Sequence, residues 1–177
     1  MSDQVVLVNE NDMEIGLMPK LEAHQKGVLH RAFSVFIFNS KGEMLLQQRA
    51  AGKYHSEGLW SNTCCSHPYP EEPTHEAALR RLEEEMGIQT DLHFLFSFQY
   101  HASLENGLTE HEYDHVFWGV SDKKPHINLS EVSSYKYLKP ADIKLDMIHN
   151  PGDYTEWFKI CMDEVVDKID AKNQSLN

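Results

Sequence analysis

The stretch PTHEAALRRLEEEMG (73–87) sets the first constraint on the fold. Pro73 and Thr74 mark a helix start, and Gly87 marks its end. Leu79, Leu82 and Met86 fall on one apolar stripe between them. Apolar segments surround this helix. VVLVN (5–9) and MEIGLM (13–18) read as a short hairpin around the turn NEND, and FSVFIFN (33–39) and EMLLQQR (43–49) as two strands joined by Ser40-Lys41-Gly42. A polar loop, AAGKYHSEG (50–58), follows them. DLHFLFSFQYHAS (91–103) and LTEHEYDHVFWGVS (108–121) form two long strands with Asn106-Gly107 in the turn. After Pro140 the pattern is helical, and YTEWFKICMDEVVDKID (154–170) is the clearest long helix. Strands that interleave with few helices predict an α/β (α+β) fold, a mixed sheet sandwiched between helices. No repeat or linker interrupts the chain, which predicts one domain over 1–177, with a core over about 5–170 and a frayed polar tail at 171–177.

The 177 residues are enough to bury a core, and 41% of them are hydrophobic. The net charge of -12 makes nucleic acid or an anionic membrane a poor partner. An anionic small molecule stays open, because a few local cations and a divalent ion can hold a phosphate. No apolar run approaches the roughly 18 residues of a membrane span, and the N-terminus carries no export signal. With only three cysteines, a reducing, cytoplasmic setting is expected.

Three constellations carry chemical potential. The run NTCCSHP (62–68) sets Cys64 and Cys65 beside His67. Adjacent cysteines are poorly placed to pair with each other, which leaves a metal knuckle or a reactive thiol beside a metal. The run Glu83, Glu84, Glu85 is a solvated acidic turn on its own, but it follows that loop directly, and Arg81 shares a helix face with Glu85. In LTEHEYDHVF, alternation puts Glu110 and Glu112 on one face of a strand and His111 on the other. A buried carboxylate pair needs protons or a cation. Eleven histidines are scattered over the chain. His24, His30 and His67 with Glu110 and Glu112 would make an N/O set suited to a borderline divalent ion.

HPYPEEPTHEAALRRLEEEMGI (67–88) resembles the Nudix box, with Glu72, Arg80, Leu82, Glu84, Glu85, Gly87 and Ile88 in place. Ser66 stands where the box begins with glycine, and Arg81 stands where a glutamate follows the arginine. In Nudix hydrolases the glutamates gather metals around a diphosphate, so Arg81 weakens a hydrolase reading and leaves the fold reading intact. The ordered set KLEAH, LHRAFSVFIFNSKGEMLLQQRA, LWSNTCCSHP, RRLEEEMG, FQYHA and TEHEYDHVF resembles the type 1 isopentenyl-diphosphate delta-isomerases, over roughly Val5 to Phe158.

That resemblance implies an isomerase that moves a double bond between isopentenyl and dimethylallyl diphosphate through a tertiary carbocation. It implies Cys65 and Glu112 as the acid/base pair, Tyr100 as a hydrogen-bonding relay beside the glutamate, and Trp157 as the cation-facing ring. Lys20, Arg49, Lys53 and Arg81 are implied to bind the diphosphate. His24, His30, His67, Glu110 and Glu112 are implied to hold one divalent ion (Mn²⁺, Zn²⁺ or Mg²⁺), and Glu85 a Mg²⁺ that rides with the substrate. Cys64 is expected as a packed neighbour and Cys161 as a core residue. The partner is a small isoprenoid diphosphate, and a monomer is expected. Two other readings compete: a Nudix hydrolase of a small diphosphate, and a non-catalytic metal-binding or thiol redox module.

Overall fold

The computed structural model describes residues 3–53 and 55–175. In chain order the elements are β1 (Gln4–Val8), β2 (Glu14–Pro19), α1 (Lys20–Lys26), β3 (His30–Phe38), β4 (Met44–Arg49), β5 (Trp60–Ser61), β6 (Cys64–Ser66), α2 (Thr74–Met86), β7 (His93–Ser103), β8 (Thr109–Val120), β9 (Val132–Leu138), α3 (Pro140–His149) and α4 (Glu156–Ser175). The expected hairpins and long helices are present. Helix α1 and strands β5, β6 and β9 are additions. Residues 171–175 of the expected frayed tail are instead helical, because Ala171, Lys172 and Gln174 are strong helix formers on an exposed face; 176–177 lie outside the described residues.

Strand β3 organises the sheet. It pairs in parallel with β8 along its whole length, from His30↔Glu112 to Phe38↔Val120. It also pairs antiparallel with β6, through Phe33↔Ser66, Ser34↔Cys65 and Val35↔Cys64. Strand β7 closes the far side of β8 and sets Tyr100 opposite Glu112 and Ala102 opposite Glu110. The nearly unbroken apolar run of β3 is explained by burial on both faces. Phe33, Val35 and Ile37 join Ala77, Ala78, Leu82 and Met86 of α2 in one core. Phe36 and Phe38 turn the other way, toward Phe158, Met162 and Val165 of α4 and Ile143 of α3. The apolar stripe expected on α2 is buried at Leu82 and Met86, while Leu79 packs at the rim of the same core.

The end of α2 is held tightly, which matters because Glu85 sits on its last turn. Gly87 adopts the left-handed conformation (φ 64°) and donates to the Glu83 carbonyl at 2.9 Å. The irregular segment after β8 satisfies two more carbonyls of that turn. His126 N–H donates to Met86 O at 2.8 Å, and Asn128 N–H to Glu85 O at 2.9 Å. A Cβ on Gly87 would lie 2.8 Å from both the Cβ and the carbonyl oxygen of His126. Gly87→Ala should therefore cost about 2 kcal/mol or more, from left-handed backbone strain plus the clash. Thermal unfolding should show a Tm lower by roughly 4–8 °C. An unchanged Tm would mean that the 126–128 segment does not cap this helix.

Candidate active site

Register brings the sequence-selected residues together. The row His30–Glu112–Tyr100 runs across β3, β8 and β7, and Glu110 lies two residues along the same face of β8. His24 reaches the row from α1, a helix of seven residues closed by left-handed Gly27. His67 and Cys65 come from β6 and the residue after it. Cys65, Tyr100, Glu110, Glu112, His67, Glu85 and Trp157 all line one cavity, together with Lys20, Arg49, Lys53 and Arg81. His24 and His30 are fully buried just behind its wall. Cys64 and Cys161 are buried, and all three cysteines are free thiols.

One end of the cavity gathers side chains that could hold a cation. The Nδ1 atoms of His24 and His30 lie 2.7 Å from the Lys20 carbonyl and 2.8 Å from the Val28 carbonyl. A carbonyl only accepts, so each Nδ1 carries the proton and each Nε2 presents a lone pair. These lone pairs meet carboxylate oxygens. His24 Nε2 is 3.9 Å from Glu110 Oε1, His30 Nε2 is 3.5 Å from Glu112 Oε1, and His67 Nε2 is 3.0 Å from the same oxygen. Ligands on a divalent ion at bond lengths near 2.1 Å sit about 3 Å apart when adjacent. Donor atoms of His24, His30, His67 and Glu112 lie within 4.8 Å of one another, so these side chains can hold a metal ion. Burial pulls the His67 pKa down to about 3, which keeps its imidazole neutral, as a ligand must be.

The carboxylates behave as a coupled pair. Burial, then the neighbouring Glu112, pushes Glu110 well above the ordinary glutamate range. Burial opposes charge on Glu112 too, but His30 and His67 beside it outweigh burial and hold it well below that range. Tyr100 Oη bridges the two, bonded to Glu110 and donating to Glu112 Oε2 at 2.7 Å. With one hydroxyl proton it donates to one carboxylate at a time.

The other end is cationic and gathered on Glu85, which is buried. Gln47 Nε2 donates to Glu85 Oε2 at 2.9 Å, and Arg81 pairs with Glu85, with Glu84 at 2.8 Å and with Glu131 at 3.5 Å. Lys53 pairs with Glu131. Burial lowers the Lys20 pKa, and the neighbouring Lys53 and Arg49 lower it further. Between the ends stands Trp157. Its Nε1 donates to Asn62 Oδ1 at 3.2 Å, and Asn62 is itself pinned to the carbonyls of Val35 and Cys64.

Sequence reasoning did not single out Gln47, Asn62, Ser34, Asp114 or His55. Asp114, the next inward residue of β8, is buried and accepts from Ser34 Oγ at 2.7 Å. Its place is implied by the alternation that selects Glu110 and Glu112. Nothing in the polar loop 50–58 marks His55 as buried.

A sheet held between helices, with a glutamate-bearing helix end at a metal-capable cleft, defines a class, and comparison agrees. The chain matches the NUDIX domain family over residues 28–158, and it belongs to that family. Similar solved structures include a Deinococcus radiodurans protein (TM-score 0.69, 19% identity, 82% of this chain and 89% of that one) and a MutT protein from Methanosarcina mazei (0.65, 20%, 82% and 95%), likenesses of fold. Within the class, the chain falls in the isopentenyl-diphosphate Delta-isomerase family. It is 54% identical to the isopentenyl-diphosphate Delta-isomerase of Pectobacterium atrosepticum over 93% of this chain and 92% of that one. It is 49% identical to isopentenyl-diphosphate Delta-isomerase 2 of Aromatoleum aromaticum, over 94% and 88%.

The thiol of Cys65 has a testable state. Burial pushes its pKa well above the ordinary thiol value, and Arg49 offsets this only in part. A thiol with a raised pKa carries little thiolate at pH 8, so iodoacetamide should label Cys65 much more slowly than an exposed cysteine. The rate should still be climbing above pH 9. Peptide mapping by mass spectrometry reads this out, and fast labelling at pH 7 would show that Cys65 is a thiolate.

Proposed function

We propose that the chain interconverts isopentenyl and dimethylallyl diphosphate, with Cys65 and Glu112 as its acid/base pair. The observation that carries this reading is the two-ended cavity. Four cations converge at one end, and a neutral thiol, a carboxylate pair and an aromatic ring line the rest.

Lys20, Arg49, Lys53 and Arg81 bind the diphosphate, and Glu85 would hold the Mg²⁺ that accompanies it, whose charge would help neutralise the phosphates. The hydrocarbon then lies among Cys65, Tyr100, Glu112 and Trp157. A proton adds to the terminal CH₂ carbon of the alkene, and the positive charge lands on the tertiary carbon. A different proton leaves the methylene beside that carbon, and its electron pair becomes the new double bond. One member of the Cys65/Glu112 pair gives the first proton and the other takes the second. A buried thiol that stays protonated suits this work, because it places a proton without placing a charge. Tyr100, bonded to both glutamates, passes protons between them and holds Glu112 in place. The Trp157 ring faces the carbocation, a contact worth about 2 kcal/mol or more once water is excluded. The bond to Asn62 fixes the angle of that ring.

His24, His30, His67, Glu110 and Glu112 would hold a second divalent ion (Mn²⁺, Zn²⁺ or Mg²⁺), whose charge would lower the proton affinity of Glu112. The reading keeps the chain a monomer. No helix among the described residues is long and apolar enough to cross a membrane, and the free thiols suit a reducing cytoplasm. Arg81 argues against hydrolysis. It occupies the box position of a glutamate and ties up Glu84 and Glu85 as their ion-pair partner.

Incubation with isopentenyl diphosphate and Mg²⁺ in D₂O, followed by proton NMR, should yield deuterated dimethylallyl diphosphate with no phosphate released. Phosphate release without isomerisation would make the chain a hydrolase. Cys65→Ala should lower kcat by at least about a thousandfold, while Cys64→Ala should leave it within a fewfold. Loss of activity in the second variant alone would reassign the thiol. Arg81→Glu puts a carboxylate beside Glu84, Glu85 and Glu131, so it should weaken pyrophosphate binding at least about tenfold by calorimetry. An unchanged Kd would remove Arg81 from the diphosphate site.

A further inference from the structure

His55 lies in the loop between β4 and β5, a segment polar enough to be solvated throughout. Instead its imidazole is buried in the cavity wall. Its Nε2 is 3.4 Å from Glu110 Oε1. Its ring stacks against His24, with centroids 5.7 Å apart and planes at 29°, and meets the Trp157 ring edge-on at 6.0 Å. Donor atoms of His24, His55 and Glu110 all lie within 4.8 Å of one another. The chain bends to achieve this. Ser56 adopts a left-handed conformation (φ 52°) uncommon for a residue with a Cβ, and its N–H is held by Glu105 from the turn between β7 and β8. The Ser56 hydroxyl lies 3.2 Å from His55 Nδ1 and can accept its proton, which leaves the Nε2 lone pair facing Glu110.

Two overlapping donor groups share His24: one with His30, His67 and Glu112, the other with His55 and Glu110. His24 has one lone pair to give, since its Nδ1 is committed to the Lys20 carbonyl. It therefore serves one ion, and the second group addresses the same ion as the first. We propose that His55 is a further ligand of the ion held by His24, a fourth imidazole donor in that site. A fourth imidazole tilts the donor set toward nitrogen, which favours zinc and its transition-metal neighbours over magnesium.

The inference rests on the reading of the His/Glu cluster as a metal site, and the experiment separates the two. The full chain, stripped of metal and free of diphosphate, is titrated with Zn²⁺ against a chromophoric chelator, and separately with Co²⁺ while its d–d absorption is recorded. His55→Ala should weaken Zn²⁺ binding by about ten- to a hundredfold, the range seen when a metal site loses a supporting group. It should also change the position and intensity of the Co²⁺ bands, which a merely structural histidine would not do. Mg²⁺ affinity should change much less. If His55→Ala does not fold, His55→Asn, whose amide is too short to reach Glu110, serves instead. Unchanged Zn²⁺ affinity and Co²⁺ spectrum in a folded His55 variant, with both lost in His24→Ala, would overturn the proposal alone. Full Zn²⁺ retention in His24→Ala would overturn the metal-site reading itself.

Discussion

The parallel pairing of β3 with β8 is the constraint on which the site depends. It sets His30 beside Glu112, and β7 then adds Tyr100 to the same row. Side chains alternate with a period of two, so a slip of one residue would turn Glu110, Glu112 and Asp114 outward and bring His111, Tyr113 and His115 in. The cores on both faces of the sheet make that slip expensive, because Val116 would trade places with Phe117. Packing that looks purely structural thus determines which acids face the cavity.

The site also reconciles opposite charges within an acidic chain of net charge -12. The carboxylates at one end are buried, and burying charge is costly unless it is matched. The Tyr100 hydroxyl and any bound cation provide the match for Glu110 and Glu112. Asp114, one step deeper, is bonded to Ser34, and burial followed by Glu112 pushes it well above the usual carboxylate range, toward the neutral acid. At the other end the cations are restrained rather than neutralised, since Glu85 and Glu131 are fewer than the lysines and arginines around them. The proposed diphosphate substrate would supply the missing negative charge.

Much of this was legible before any coordinates. The helix over 73–87 carries its own start and stop signals, and the long strands and α4 are apolar enough to stand out. Glu110 and Glu112 share a face by alternation alone. Tyr100, Trp157 and the cations were legible through family resemblance, since no local pattern marks them. What was hidden was made by tertiary contact. Helix α1 is too short to nucleate unaided and has no side-chain cap at its N-terminus. Strands β5 and β6 have two and three residues and exist because β4 and β3 pair with them. Strand β9 is only half-buried along most of its length and is defined by its ladder with β4. His55 is inward because Ser56 bends the loop, a backbone event that composition does not encode.

The bond between Ser34 and Asp114 joins residues 80 apart in sequence, and the whole β3–β8 ladder spans a similar gap. Such a contact is made late, after the chain has paid the entropy of closing a long loop. His30 and Glu112 meet only when that ladder forms. An ion that bound this site would therefore act on the finished sheet rather than template early folding. By mass action it would lower the free energy of the native state alone, so metal supply would set how often the ladder opens rather than how fast it closes.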